Sequence, residues 1–400
     1  MEKVKPWAEN ADELIVLLLT ASLFAPFYFS VAAVCIVAVM TMMNYKARVK
    51  AFSPPYSKYL LGFLIVPFFV SATYSNYQGM IYQIVLIAVI ICGFYVRSIM
   101  TSRLFDKMLD LACLASVWCV GIAVYQKVTA YSAAPNYRPI SAFHNANTYG
   151  MMIEFIVIIA LYRIFTKAQH KGFYFTVIGL NLVGLYLSAS VSAFAATGCA
   201  VVAMLLLKKQ YKAVGGIAGA VLLFFAIGIL FPSVFPRGIL AIDTTCSQRL
   251  SIWETTLKGI ERHPLFGTGA LSYQMIYDEF GGYKTFHSHN LLLDTLLNYG
   301  FVGLGAIGIY VISQLKLLSL RMKNRICGNM NILVIAALVA ITVHGLTDVT
   351  IFWIQTGLLF MLMFSSMGIG SESLEKDIRM PSLLPEYTDG LEAQPIYMKR

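Results

Sequence analysis

Residues 79–97 read GMIYQIVLIAVIICGFYVR, apolar and uncharged until Arg97. At 1.5 Å per residue a helix over this stretch crosses roughly 30 Å, the thickness of a bilayer's hydrocarbon core. Runs of the same kind recur near 14–27, 28–44, 59–73, 104–127, 148–166, 172–188, 191–207, 213–230, 300–319, 330–345 and 350–368. The chain therefore reads as an all-α integral membrane protein of about twelve transmembrane helices. Composition agrees: 58% of the residues are hydrophobic, 12% are charged, and the mean hydropathy is +0.71. No soluble core of this length could hide that much apolar surface.

Charge gives the orientation. Lys46, Arg48, Lys50 and Lys58 fill one connection; Arg97, Arg103 and Lys107 fill the next but one. Arg163, Lys167 and Lys171, then Lys208, Lys209 and Lys212, then Lys316, Arg321, Lys323 and Arg325 continue the alternation. By the positive-inside rule these connections lie in the cytoplasm, and with twelve spans both termini join them. The net charge of +10 thus marks membrane orientation and anionic lipid rather than nucleic acid, because no continuous basic face forms. The parity depends on Pro26, which either turns a tight hairpin or kinks one long segment. The opening MEKVKPWAENADE lacks the features of a cleavable signal, so the first run is expected to remain as an anchor. The seven Cys lack metal or redox spacing.

The expected organisation is a membrane domain over 1–370 and a flexible cytoplasmic tail over 371–400. The largest extracytoplasmic loop, about 231–298, is expected to contain short amphipathic helices. From Ser247 to about Arg262, Leu250, Trp253, Leu257 and Ile260 fall at helical spacing with Glu254, Lys258 and Glu261 turned away. His263-Pro264 should end this helix, and Gly267 and Gly269 suit the turn beyond. Arg249 would sit in the first turn, where a cation opposes the helix dipole. A phosphate or pyrophosphate would resolve that conflict; a head group snorkelling into lipid is the plainer alternative.

Phe286-His287-Ser288-His289-Asn290 precedes the apolar run LLLDTLLNYG. Three readings of this histidine pair remain open: zinc ligation completed by Asp278, Glu279 or Asp294; general base catalysis; or capping of the re-entering helix. A shorter outer loop supplies Arg138 and the stretch Phe143-His144-Asn145-Ala146-Asn147-Thr148, in which Asn147 or Thr148 should cap the next span. Arg237 and Lys284 are further cations on that side.

Taken together, RLSIW (249–253), HPLFGTG (263–269) and HSHN (287–290) running into Leu293 and Gly300 resemble the O-antigen ligase and O-antigen polymerase superfamily of bacterial membrane glycosyltransferases. The segment from Arg138 to Asn147 is similar to that superfamily's Arg followed by a Gly-Thr-Phe-Asn-Pro-Asn-like stretch. One departure is Val191, within Ser188-Ala189-Ser190-Val191-Ser192-Ala193, where many members have Arg. The resemblance implies transfer of an undecaprenyl-pyrophosphate-linked glycan to a glycan or lipid-linked acceptor on the outer face of the bacterial cytoplasmic membrane. The enzyme would be a polymerase or a ligase in lipopolysaccharide or capsule assembly, inverting, without metal or cofactor. His289 is then expected as general base and Arg249 as the pyrophosphate ligand. Arg138, His287, Asn290, Arg237 and Lys284 are expected to bind substrate. The rival class is a lipid-linked glycan flippase, which would need ionisable residues spread through the spans; here only Glu154, Asp106, Asp110 and Asp348 lie in or near them.

Overall fold

The computed structural model describes residues 6–166, 169–231 and 239–378, and among these every regular element is helical. Helices α1 (Pro6–Ser22) and α2 (Phe27–Met43) form a hairpin around Pro26, which caps α2. Contacts fix its direction: Glu13 pairs with Lys107, whereas the turn carbonyls of Leu23 and Ala25 accept from Gln355 and that of Phe24 from Cys119. After α2 the chain bends by 105° into α3 (Tyr45–Ala51), which carries Lys46, Arg48 and Lys50 across the end of the bundle. Then follow α4 (Ser57–Thr73), α5 (Tyr77–Ile99), α6 (Ser102–Ala130), α7 (Ala146–Phe165), α8 (Lys171–Ser188), α9 (Val191–Leu207) and α10 (Tyr211–Leu230). The remainder is α11 (Ile239–Arg262), the single turn α12 (Tyr273–Ile276), α13 (Leu291–Lys323), α14 (Gly328–Gly345), α15 (Ile354–Phe364) and α16 (Glu372–Lys376).

Among the described residues five helices, α5, α6, α7, α13 and α14, are each long and apolar enough to cross a membrane, and the bent pair of α2 with α3 would make a sixth. Four shorter apolar helices lie over Ser57–Thr73, Val191–Leu207, Tyr211–Leu223 and Ile354–Gly368. The core is centred on α7, buried on all sides between α6, α8, α9, α14 and α15. Its sequence is apolar around the whole circumference, so no face prefers the periphery. Within it Glu154 meets His344 Nδ1 of α14 at 2.8 Å, both side chains buried.

One end of the bundle carries most of the basic clusters. Arg163 holds Asp106 at 2.6 Å and Asp110 at 2.7 Å, Arg97 holds Glu375 at 2.6 Å, and Arg321 is buried against the carbonyls of Met367 and Ile369. Of the segment after Gly370, residues 371–378 are described; Ser371 and Ile378 are buried against this end.

The other end holds the site, and a break in α13 shapes it. Gly300 has φ 64° and ψ −171°, a conformation that disrupts the helix ladder. The freed N–H groups of Phe301 and Val302 donate to the carbonyls of Pro264 and Leu265 at 2.8 and 3.0 Å. A Cβ at Gly300 would lie 2.3 Å from the carbonyl carbon and oxygen of Leu265. Asn298 completes the junction: its backbone oxygen accepts from Gly269 N and its side-chain oxygen from Ser272 N. The 263–272 loop thus buckles onto α13 by replacing helix hydrogen bonds with loop ones.

Candidate active site

Two sequence expectations change in α11. The helix begins ten residues before Arg249, so Arg249 occupies mid-helix and no dipole conflict arises. The face turned to the protein is Ile252, Thr255, Thr256, Gly259 and Ile260, while Leu250 and Leu257 of the expected stripe are 63% and 49% exposed. Gly259 decides this, since a Cβ there would strike Ile276 and Leu297; helix and loop pack at backbone distance. The helix does stop at Arg262, and Gly267 and Gly269 do adopt positive φ in the following turn.

The capping expectations shift as well. Asn145, not Asn147 or Thr148, caps α7 by accepting from Thr148 N, and Asn290 caps α13 by accepting from Leu292 N and Leu293 N. Neither histidine caps that helix. Asn147 instead stands in a chain of polar contacts: Arg138 Nη2 donates to its Oδ1 at 2.7 Å, and its Nδ2 donates to Asp348 Oδ2 at 3.2 Å. Arg138 Nε also donates to the carbonyl of Ser188. Asp348, in the turn after α14, lies 3.8 Å from His289 Nδ1 and 3.7 Å from His287 Nε2. These distances are charge contacts rather than direct hydrogen bonds.

The two imidazoles differ. His287 is buried, and its Nδ1 accepts from the backbone N–H of His289 at 3.2 Å, which leaves Nε2 to carry the proton of a neutral ring. Burial lowers its pKa to about 3, against the opposing pull of Asp348. Burial works against ionisation of Asp348 too, but the neighbouring imidazoles of His289 and His287 outweigh it and hold the carboxyl well below the usual range. His289 has φ 48°, a strained conformation for a residue with a Cβ, and its side chain is 22% exposed. Its Nε2 faces the Thr285 hydroxyl at 3.2 Å.

Two cavities meet at His289. The first, about 460 Å³, is lined by Arg138, Arg249, Gln248, Ser190, Ser192 and Tyr283, with apolar flanks from Val191, Ala195, Ile252, Val343 and Leu346. The second, about 310 Å³, is lined by Arg138, Asn145, Asn147, Thr285, Phe286, His287 and Trp353. His289, Arg138 and Asn147 belong to both.

Of the expected site residues, Arg138, Arg249, His287 and His289 come together here. Asn290 stands behind them, donating to the carbonyl of Leu346. Lys284 is exposed and lines neither cavity, and Arg237 lies outside the described residues. Sequence reasoning missed the partnership of Asp348, whose only signal was a carboxylate at the end of an apolar run. It displaces Asp278, Glu279 and Asp294 as the carboxylate beside the histidines. Asp294 accepts from Ser288 N and Asn298 Nδ2 instead. Donor atoms of His287, His289 and Asp348 all lie within 4.8 Å of one another, so the trio could also hold a metal ion.

Fold and site define a multi-pass helical membrane protein with arginines and an imidazole–carboxylate cluster at one end of its bundle. A family model described as O-Antigen ligase matches residues 175–308, and it supports the resemblance to the O-antigen ligase and polymerase superfamily. The matched segment runs from α8 through the 263–272 buckle and His287–Asn290 into α13. It supports a polysaccharide-related glycosyl transfer function. No curated protein matches the chain.

Proposed function

We propose that this chain transfers a glycan from undecaprenyl pyrophosphate to a hydroxyl of a second glycan or lipid-linked acceptor, as a polymerase or ligase of cell-surface polysaccharide. The observation that carries the reading is the position of His289, on the wall shared by a cavity containing two arginines and a second cavity lined by Asn145, Asn147, Thr285 and Trp353. The acceptor oxygen attacks the anomeric carbon of the donor sugar, its proton passes to His289 Nε2, and the C1–O bond breaks with the electron pair going to the pyrophosphate. Arg249 and Arg138 stabilise the charge that grows on that leaving group, the main electrostatic demand of the step. The carboxylate of Asp348, toward the opposite nitrogen, favours the tautomer with Nε2 open and then the imidazolium. Attack from the second cavity on a donor held in the first gives inversion.

The apolar flank of the first cavity suits the lipid end of the donor. Twelve spans, with the basic end in the bacterial cytoplasm and the site outside, fit this chemistry and the alternation of charge. A flippase is the weaker reading, because among the described residues most ionisable groups gather at the two ends of the bundle, and the buried Glu154–His344 pair within it is held by a 2.8 Å contact.

The test is transfer from lipid-linked single repeat units by the full chain in proteoliposomes. Wild-type protein should lengthen or transfer the glycan, and His289→Ala should leave the units unreacted; undiminished transfer by His289→Ala would overturn the assignment. The metal reading rests on the three clustered donors, and it predicts loss of transfer in chelator with recovery on adding Zn²⁺. Full activity in chelator is expected.

A further inference from the structure

We infer that the second cavity is a pyranose-binding acceptor site whose specificity platform is Trp353, flanked by His144 and Phe286; this rests on the glycosyl transfer proposed above. Phe286 is 56% exposed beside a polar site, and His144 is exposed too. Their arrangement forms an open aromatic corner. The rings of His144 and Trp353 lie 5.7 Å apart at 33°, and His144 meets Phe286 at 6.4 Å and 81°. His287 abuts Trp353 edge-on at 5.4 Å and 85°, linking the platform to the ring beside His289.

The platform is rigid. Trp353 joins a short 3-10 turn (Thr350–Phe352) to α15; its N–H donates to Thr350 O, while its carbonyl accepts from Gly357 N at 2.7 Å and Thr356 Oγ1 at 3.1 Å. A pyranose has C–H faces that stack on aromatic rings and a rim of hydroxyls that pair with planar polar groups. The cavity offers both: aromatic surface from Trp353 and Phe286, and polar groups from Arg138, Asn145, Asn147 and Thr285. Among the described residues no acidic one lines it, and the one Arg there is shared with the first cavity, so it suits a neutral sugar ring better than the pyrophosphate. A sugar stacked here would present a hydroxyl beside His289.

The test uses the full chain in detergent and two probes: the repeat-unit oligosaccharide freed from its carrier by mild acid, and a serine-containing peptide. The chain has four Trp, so the signal of Trp353 is the difference between wild type and Trp353→Phe. The oligosaccharide should change that fluorescence saturably, the peptide should not, and Arg249→Ala should leave the response in place. In the transfer assay Trp353→Ala should raise the oligosaccharide concentration for half-saturation about tenfold or more, with Trp353→Phe intermediate and the donor KM unchanged. Equal fluorescence responses in wild type and Trp353→Phe, or a shift in donor KM alone, would overturn the inference, as would saturation by the peptide. Oligosaccharide binding through Trp353 without any transfer would instead refute the proposed reaction and leave this site standing.

Discussion

Asp348 Oδ2 lies 3.8 Å from His289 Nδ1 and accepts a hydrogen bond from Asn147, which is itself held by Arg138. The proposed base and one of the proposed leaving-group ligands are therefore mechanically joined through two side chains. Replacing Asp348 with Asn keeps the shape but removes the charge that stabilises an imidazolium. Transfer should fall about a hundredfold or more, with donor KM little changed, as read by single-turnover transfer. A loss confined to donor KM would mean that Asp348 acts through Arg138 instead.

The same cluster adds an acid-sensitive contribution to stability. Burial lowers the pKa of His287 from about 6.5 to about 3, so below 6.5 the unfolded chain binds the extra proton and this residue's contribution to stability falls as the pH falls. Asp348, held below its ordinary range, adds loss of the same sign at still lower pH. The stability that His287 contributes should be full above about pH 6.5 and be lost progressively toward pH 4. His287→Gln should flatten that dependence, measured as thermal unfolding in detergent at pH 7 and pH 5; parallel curves would refute it.

Arg249 tests the leaving-group role. Arg249→Ala should reduce transfer strongly. Arg249→Lys should recover little of it, because a point charge cannot reproduce a two-pronged guanidinium contact to phosphate oxygens. Full recovery by Lys would reduce Arg249 to a general positive potential.

Val191 is 55% exposed and lines the arginine-containing cavity, at the position where many members of the resembling superfamily have Arg. Val191→Arg adds a cation to a site already holding Arg138 and Arg249. Donor KM should fall severalfold without a gain in kcat, since an attraction felt equally before and during reaction does not speed the chemical step. A rise in kcat would show that the native leaving-group site is electrostatically incomplete.

Gly300→Ala should destabilise the protein by about 2–4 kcal/mol, through strain at a conformation nearly reserved for Gly and a clash with Leu265. Thermal unfolding would register this, with loss of transfer following as the 263–272 loop leaves α13. Wild-type stability in Gly300→Ala would mean that the break can re-form as regular helix.

The helical class and most helix positions were legible from apolar run length, because a backbone in hydrocarbon must bond within its own segment and leaves little choice but helix. Arg138, Arg249, His287 and His289 were also visible, as polar groups concentrated in otherwise apolar sequence. The break at Gly300 was not, for its hydrogen bonds go to Pro264 and Leu265, far back in the chain. Nor was the setting of Arg249, which changed once α11 proved to begin at Ile239 and Gly259 turned a different face inward.

Sequence by itself determined most of the helical segments and which residue types could do chemistry, since both follow from local composition and periodicity. Only tertiary structure decided that Asp348 faces His289, that Asn147 bridges to Arg138, and that Trp353 walls a second cavity. Those pairings depend on how α7, α13 and α14 pack against one another, and the local period of a helix does not specify which neighbour its end will meet.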